Sequence, residues 1–223
     1  MTDLLETSQF ITKICGLQSA DAAQVAIDAS SVLLGIICVP NRKRTVDPEE
    51  AKEISSKVRA ARKERQRRGL VGPYLVGVFR NQSVQDVKKI KCDYGVDIVQ
   101  LHGSEDWREY KKELQDTLII KRFIFPNDCS QVEELSLVEN PGCLPLFDSE
   151  AGGTGEQLDW SSISNWSEQT GAKFILAGGL TPQNVRRATQ LNGVRGVDVS
   201  GGVETDGIKD NDKIRLFISE ASK

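Results

Sequence analysis

Apolar residues along this chain gather into short runs separated by longer polar stretches, and the alternation repeats from one end to the other. The runs are Ile11–Cys15, Val32–Val39, Tyr74–Phe79, Ile98–Leu101, Leu118–Phe125, Leu144–Phe147, Phe174–Ala177 and Val194–Val199. They are rich in Val, Ile, Leu and Phe, and most lack a strict polar alternation. Strands covered on both faces read this way, as in parallel sheets. Eight strands are therefore predicted.

The intervening stretches carry helix signals. Ser19 and Asp21 open Ala22–Ala29, and Asp47-Pro48 supplies a cap and a first-turn proline ahead of Ala51–Ala61. Ser83 leads into Val84–Cys92, and Ser104-Glu105-Asp106 into Trp107–Leu114. Thr181-Pro182-Gln183-Asn184 repeats the cap-plus-proline arrangement before Val185–Leu191, and Asp210–Ser222 closes the chain. The sixth unit looks weakest, with only Ser161–Ser167 available for its helix. Strands alternating with helices at this period imply βαβ units and a parallel sheet, and eight units close into a single α/β barrel, the (β/α)8 TIM fold. An open doubly wound sheet competes, but it usually carries a glycine-rich turn after its first strand. Lys13-Ile14-Cys15-Gly16-Leu17 is not such a turn.

Length and composition narrow the reading further. A chain of 223 residues suits one barrel domain spanning 1–223, and no Pro-, Ser- or Gly-rich linker divides it. The net charge of −3 argues against a general nucleic-acid partner. One segment runs the other way: from Lys57 to Arg68 seven basic residues face a single acid, Glu64. Read simply, this is the solvated end of a helix and the loop after it; the alternative is a polyanion-binding patch. The five cysteines are odd in number and show no CxxC spacing. Reduced thiols are expected, with neither a disulfide framework nor a metal site. Met1–Phe10 contains Asp3 and Glu6 and no long apolar core, so a leader peptide is not expected there. No apolar run nears the ~20 residues that span a bilayer. A soluble cytoplasmic protein without membrane or nucleic-acid partners is expected.

In barrels of this type the chemistry sits at the C-terminal ends of the strands. Strands seven and eight end Ala177-Gly178-Gly179-Leu180 and Ser200-Gly201-Gly202-Val203. Glycine allows close backbone approach to a ligand, and successive N–H groups cradle anions. The loops after strands seven and eight frequently bind phosphate in this fold. Gly152-Gly153-Thr154-Gly155, after strand six, is a third glycine cluster, either a cover or a further phosphate contact. Cys15 ends strand one, where a thiol acts as nucleophile, base or simple core. Asp148 follows four apolar residues, a setting that favours the protonated carboxyl; capping the next loop is the plainer role. The basic loop Asn41-Arg42-Lys43-Arg44 offers a clamp for a carboxylate. The sole histidine, His102, ends strand four, where pocket and packing roles are both open. Lys13 and Lys121 lie on or near strands, as the Schiff-base lysine of a lyase would.

These segments together resemble one family. Lys13-Ile14-Cys15-Gly16, Pro40-Asn41-Arg42-Lys43-Arg44, Val76-Gly77-Val78-Phe79, Val99-Gln100-Leu101-His102-Gly103, Leu146-Phe147-Asp148-Ser149, Gly152-Gly153-Thr154-Gly155, Leu176-Ala177-Gly178-Gly179-Leu180 and Val197–Glu204 are similar, in order, to phosphoribosylanthranilate isomerases. The resemblance implies a cofactor-free Amadori rearrangement of N-(5-phosphoribosyl)anthranilate, a step of tryptophan biosynthesis. It implies Cys15 as general base, Asp148 as general acid and Arg44 as the holder of the anthranilate carboxylate. It implies phosphate contacts at Gly153, Gly178, Gly179, Gly201 and Gly202, and gives His102 and Asp198 as pocket residues without a fixed role. A base thiol needs a positive neighbour to ease its ionisation, and Lys13 or the substrate iminium would serve. A monofunctional chain and a monomer are expected. Two other readings stay open: a different phosphosugar barrel enzyme with an essential lysine, and a barrel that binds a phosphorylated ligand without catalysis.

Overall fold

The computed structural model describes Leu4 and residues 9–138, 142–149 and 158–223. Its centre is a closed barrel of parallel strands in sequential order. They are β1 (Ile11–Ile14), β2 (Leu33–Ile37), β3 (Tyr74–Phe79), β4 (Ile98–Leu101), β5 (Ile119–Phe123), β6 (Cys143–Phe147), β7 (Phe174–Leu176) and β8 (Val194–Val199). Closure is made by β1 pairing with both β2 and β8, with Lys13 opposite Leu33 on one side and Asp198 on the other.

The helices that cover the barrel are α1 (Ala20–Asp28), α2 (Pro48–Arg67), α3 (Val84–Tyr94), α4 (Trp107–Glu113), α5 (Cys129–Leu137), α6 (Trp160–Thr170), α7 (Val185–Ala188) and α8 (Asn211–Ala221). Ser19, Asp47, Ser83, Asp106, Asp159 and Asp210 cap their helices by accepting backbone N–H bonds, each worth about 1 kcal/mol. A short hairpin, β9 (Glu204–Thr205) and β10 (Ile208–Lys209), follows a 3-10 turn at Gly201–Val203.

Two expectations need correction, and one helix carries no signal in the sequence. The basic segment after Ala61 is helix, not loop: α2 runs to Arg67 because its tail is tied down. Arg65 donates to the carbonyls of Ser31 and Ile27 at 2.9 and 2.7 Å, and Arg62 pairs with Asp97 at 2.9 Å. The remaining basic side chains form a solvated helix face. The weakest unit is the seventh, not the sixth: α7 has 4 residues whereas α6 has 11. The chain turns in early at Gly193, whose positive φ and close approach to Ser167 and Ala172 leave no room for a longer helix. Helix α5 has no acidic residue in its first turn, no basic residue in its last and no side-chain cap bond, so none of the usual end signals marks it in the sequence.

Strand periodicity sorts the side chains into two layers. Ile14, Leu34, Phe79, Leu101, Phe147 and Val197 join the layer beneath the helices. Ile11, Leu33, Val76, Ile98, Ile120, Leu146 and Ile175 fill the barrel interior. Continuing that inward series toward the strand ends brings Lys13 and Cys15, Gln100 and His102, Asp148, and Asp198 and Ser200 to one mouth. No helix among the described residues is long and apolar enough to cross a membrane.

Candidate active site

A cleft of about 640 Å³ opens at that mouth. Cys15, Arg44, His102, Asp148, Gly178, Gly179, Asp198, Gly201 and Gly202 all line it. Residues from six of the expected segments thus converge although Cys15 and Gly202 lie 187 positions apart. Gly153 lies outside the described residues.

Cys15 stands just past the end of β1, where its N–H still donates to the Val199 carbonyl at 2.8 Å. It is 6% exposed. Burial pushes the thiol up, opposed by the Lys13 ammonium and more weakly by Lys209, while Asp198 adds to the rise. The expected positive neighbour is therefore present but does not outweigh burial in the free protein. Lys13 is wholly buried and bonds Asp198 Oδ2 at 2.9 Å.

Asp148 is positioned by β6 and is 7% exposed. Burial raises its pKa, and the Asp198 carboxylate adds to this; the Ser149 N–H, which donates to Oδ1 at 2.8 Å, and Arg122 oppose it. His102 Nε2 lies 3.6 Å from Asp148 Oδ2, and Nδ1 lies 3.5 Å from Gln100 Nε2. Burial, then the surrounding cations Arg122, Lys13, Arg80 and Lys121, hold the His102 pKa down at about 3. The imidazole is therefore neutral at physiological pH, and its contact with Asp148 is not an ion pair.

The glycine pairs form the opposite wall. Gly178 and Gly179 have φ of 83° and 65°, in the left-handed region where a side chain is strained. A Cβ on Gly202 would sit 1.9 Å from the Leu180 carbonyl oxygen, so the loops after β7 and β8 touch through bare backbone. This is the arrangement an anion cradle requires.

Arg44 reaches the cleft from the loop after β2, and one edge of its guanidinium is engaged. Nε and Nη2 bond Glu204 Oε1 and Oε2 at 2.7 and 2.9 Å, and Lys209 Nζ bonds the same Oε1 at 2.7 Å. Glu204 and Lys209 were not assigned a role from sequence, and neither were Gln100 and Arg80, which also line the cleft. A lone Gln inside an apolar strand is the available signal for Gln100, and the position just past β3 is that for Arg80; Glu204 and Lys209 depend on how the β9–β10 hairpin folds back.

Lys13 and Lys121 do not line the cleft. Lys121 is turned outward and donates to the Gly103 carbonyl at 2.6 Å. Neither is placed to form a Schiff base with a bound sugar. Among the described residues, no group of three or more His, Cys, Asp or Glu is placed to hold a metal ion.

Comparison with known proteins adds the following. The family model described as N-(5'phosphoribosyl)anthranilate (PRA) isomerase matches residues 12–220. A Saccharomyces kudriavzevii protein named N-(5'-phosphoribosyl)anthranilate isomerase is 57% identical over 217 residues, covering 96% of this chain and 94% of its own. The crystal structure of phosphoribosyl anthranilate isomerase from Thermotoga maritima superposes with a TM-score of 0.78 at 29% identity, covering 96% of this chain and 99% of its own. A structure of such an enzyme in complex with reduced 1-(o-carboxyphenylamino)-1-deoxyribulose 5-phosphate gives 0.75 at 28% identity, with the same coverage.

Proposed function

Starting from the fact that this chain belongs to the N-(5'-phosphoribosyl)anthranilate isomerase family, isomerases of tryptophan biosynthesis, we propose that Cys15 and Asp148 are the base and acid of its aldose–ketose rearrangement. The substrate is then N-(5-phosphoribosyl)anthranilate, and the product is 1-(2-carboxyphenylamino)-1-deoxyribulose 5-phosphate. The observation that carries the assignment is the convergence of a buried thiol and a carboxyl of raised pKa on one cleft that also holds a paired-glycine wall.

The chemistry divides between them. The ribose ring opens when its ring oxygen gains a proton as the C1–O bond breaks and the anilino nitrogen donates its lone pair to form an iminium. Asp148, which burial keeps protonated to higher pH than an ordinary carboxyl, is the donor. The iminium acidifies the C2 proton. Cys15, as thiolate, takes that proton; the C2–H electron pair becomes the C1–C2 double bond and the nitrogen is neutralised. Ketonisation of the resulting enolamine adds a proton at C1 and releases the one on the C2 hydroxyl. Opposite roles need environments that push the two pKa values apart, and β1 and β6 provide separate ones.

Binding is assigned to the flanking groups. The glycine turns Gly178–Gly179 and Gly201–Gly202, together with Gly153, take the phosphate. Arg44, oriented by Glu204, offers its Nη1 edge to the anthranilate carboxylate. Neutral His102 packs against Asp148 and shields its proton from water. Asp198 Oδ1, buried without a hydrogen-bond partner among the described residues, accepts from a sugar hydroxyl. The chain acts as one domain.

The test is turnover of phosphoribosylanthranilate generated in place, followed by loss of its fluorescence, with Cys15→Ala and Asp148→Asn alongside. Turnover by the unaltered protein and a loss of about 10² or more in each variant is expected. Full activity in either folded variant overturns that residue's role.

A further inference from the structure

Lys13 is fully buried, yet it carries a charge behind the residues that line the cleft. A lysine so placed needs a specific electrostatic reason. Asp198 supplies part of it. The two residues lie directly opposite each other in the β1–β8 ladder, and Nζ meets Oδ2 at 2.9 Å.

The ammonium has a second neighbour. Lys13 and Cys15 are two positions apart on the same inward face of β1, and β2 presents Gly35 to them. A Cβ at Gly35 would stand 2.8 Å from the Cys15 sulfur and 3.2 Å from Lys13 Nζ. Both groups therefore turn into the small space that this missing side chain leaves. Any larger residue on β2 would drive them apart. Being wholly buried, Lys13 is turned away from solvent; it bonds the Asp198 carboxylate and has the Cys15 thiol as its electrostatic neighbour.

We propose that Lys13 is a positioning residue for the rearrangement: anchored by Asp198, its ammonium stands beside the Cys15 sulfur and favours its thiolate form when the C2 proton is taken. The inference rests on the reading of Cys15 as the base. The other charged and titratable groups around the sulfur are Asp198 on β8, Lys209 on β10, and Arg44 and Cys38 beyond β2. Of the cations, Lys13 acts most strongly on the thiol.

The experiment reads the thiol itself. Alkylation of Cys15 by iodoacetamide is followed by peptide mass spectrometry across pH, with exposed Cys92 as the internal reference. The full-length protein is compared with Lys13→Met and with Lys13→Met/Asp198→Asn. The double variant removes both charges together, so no carboxylate is left buried and unpaired. The expected result is a Cys15 midpoint raised by more than about one pH unit in both, equal to a tenfold or greater slowing at pH 7.5. In turnover by Lys13→Met, which keeps the substrate-facing Asp198, kcat falls in parallel at pH 7.5 and recovers at higher pH, with KM little changed. A purely structural role would lower activity at every pH and leave the midpoint in place. An unchanged midpoint in the folded double variant overturns the proposal. If Cys15→Ala keeps full activity while the midpoint still shifts, the base assignment fails and the Lys13–thiol coupling stands.

Discussion

The Glu204 carboxylate holds Arg44 edge-on, with Oε1 on Nε at 2.7 Å and Oε2 on Nη2 at 2.9 Å. Glu204 is in turn held by Lys209, which also donates to the Ser200 carbonyl at 2.9 Å. The hairpin after β8 thereby fixes the direction in which an arginine from the β2 loop points. Rigid placement of this kind limits the entropy lost when a ligand carboxylate binds.

Arg44→Ala and Glu204→Gln are therefore expected to raise KM more than they lower kcat. Charge-assisted hydrogen bonds contribute about 1.5–3 kcal/mol, so Arg44→Ala should raise KM roughly tenfold to a hundredfold, and Glu204→Gln by less. Steady-state kinetics separate the two parameters. A fall in kcat at unchanged KM would place Arg44 in the chemistry instead.

The single histidine makes a second prediction clean. With its pKa held down at about 3 by burial and neighbouring cations, His102 stays neutral in the fold but protonates near 6.5 when unfolded. Its contribution to stability is therefore intact above about pH 6.5. It is lost progressively as pH falls toward 3, at up to about 1.4 kcal/mol per pH unit. The imidazole C–H resonances, unambiguous in a one-histidine protein, should not shift between pH 5 and 8. A titration centred near 6.5 would show that the ring is solvated and not packed on Asp148.

The glycine wall predicts an asymmetry. A Cβ on Gly202 would collide with backbone at Leu180, whereas one on Gly201 meets only Arg44 Nη2 at 3.3 Å. Gly202→Ala should lower stability by about 1–3 kcal/mol, readable in urea unfolding, and raise KM through a distorted phosphate seat. Gly201→Ala should cost less on both counts. Equal effects would mean that the two loops are not held by that contact.

Asp148 makes the pH profile specific. Its raised pKa means that the proton donor is lost only as pH rises through that value, and protonation of Cys15 removes the base as pH falls. The profile of kcat/KM should be bell-shaped, and Asp148→Asn should abolish one limb. A profile with both limbs intact in Asp148→Asn would assign the proton to another group.

Much of this arrangement is legible in the sequence, and the reason is periodicity. Eight apolar runs with capped helices between them identify the barrel, and the residue closing each run then falls at the mouth. Cys15, His102, Asp148 and the late glycine pairs were all reached in that way. Asp47-Pro48 and Ser83 are local signals, and they place α2 and α3 because capping is decided within one turn. The misjudged helix lengths depended on partners far along the chain. Arg65 extends α2 by bonding the α1–β2 turn, and Gly193 curtails the chain after α7 by packing on α6. The Lys13–Asp198 pair was hidden for the same reason, since it joins positions 185 residues apart through the register of barrel closure. Glu204 was visible within a motif, but its grip on Arg44 requires the fold of the hairpin.

The most direct test of the division of labour uses substrate deuterated at C2. With Cys15 as base, Cys15→Ser should make removal of that hydrogen the slow step and enlarge the isotope effect on kcat/KM above that of the unaltered protein. With Asp148 as the acid of ring opening, Asp148→Asn should make the earlier step slow and shrink the effect toward unity. Isotope effects that move together in the two variants, or in the opposite sense, would contradict the assignment of Cys15 and Asp148 to separate proton transfers.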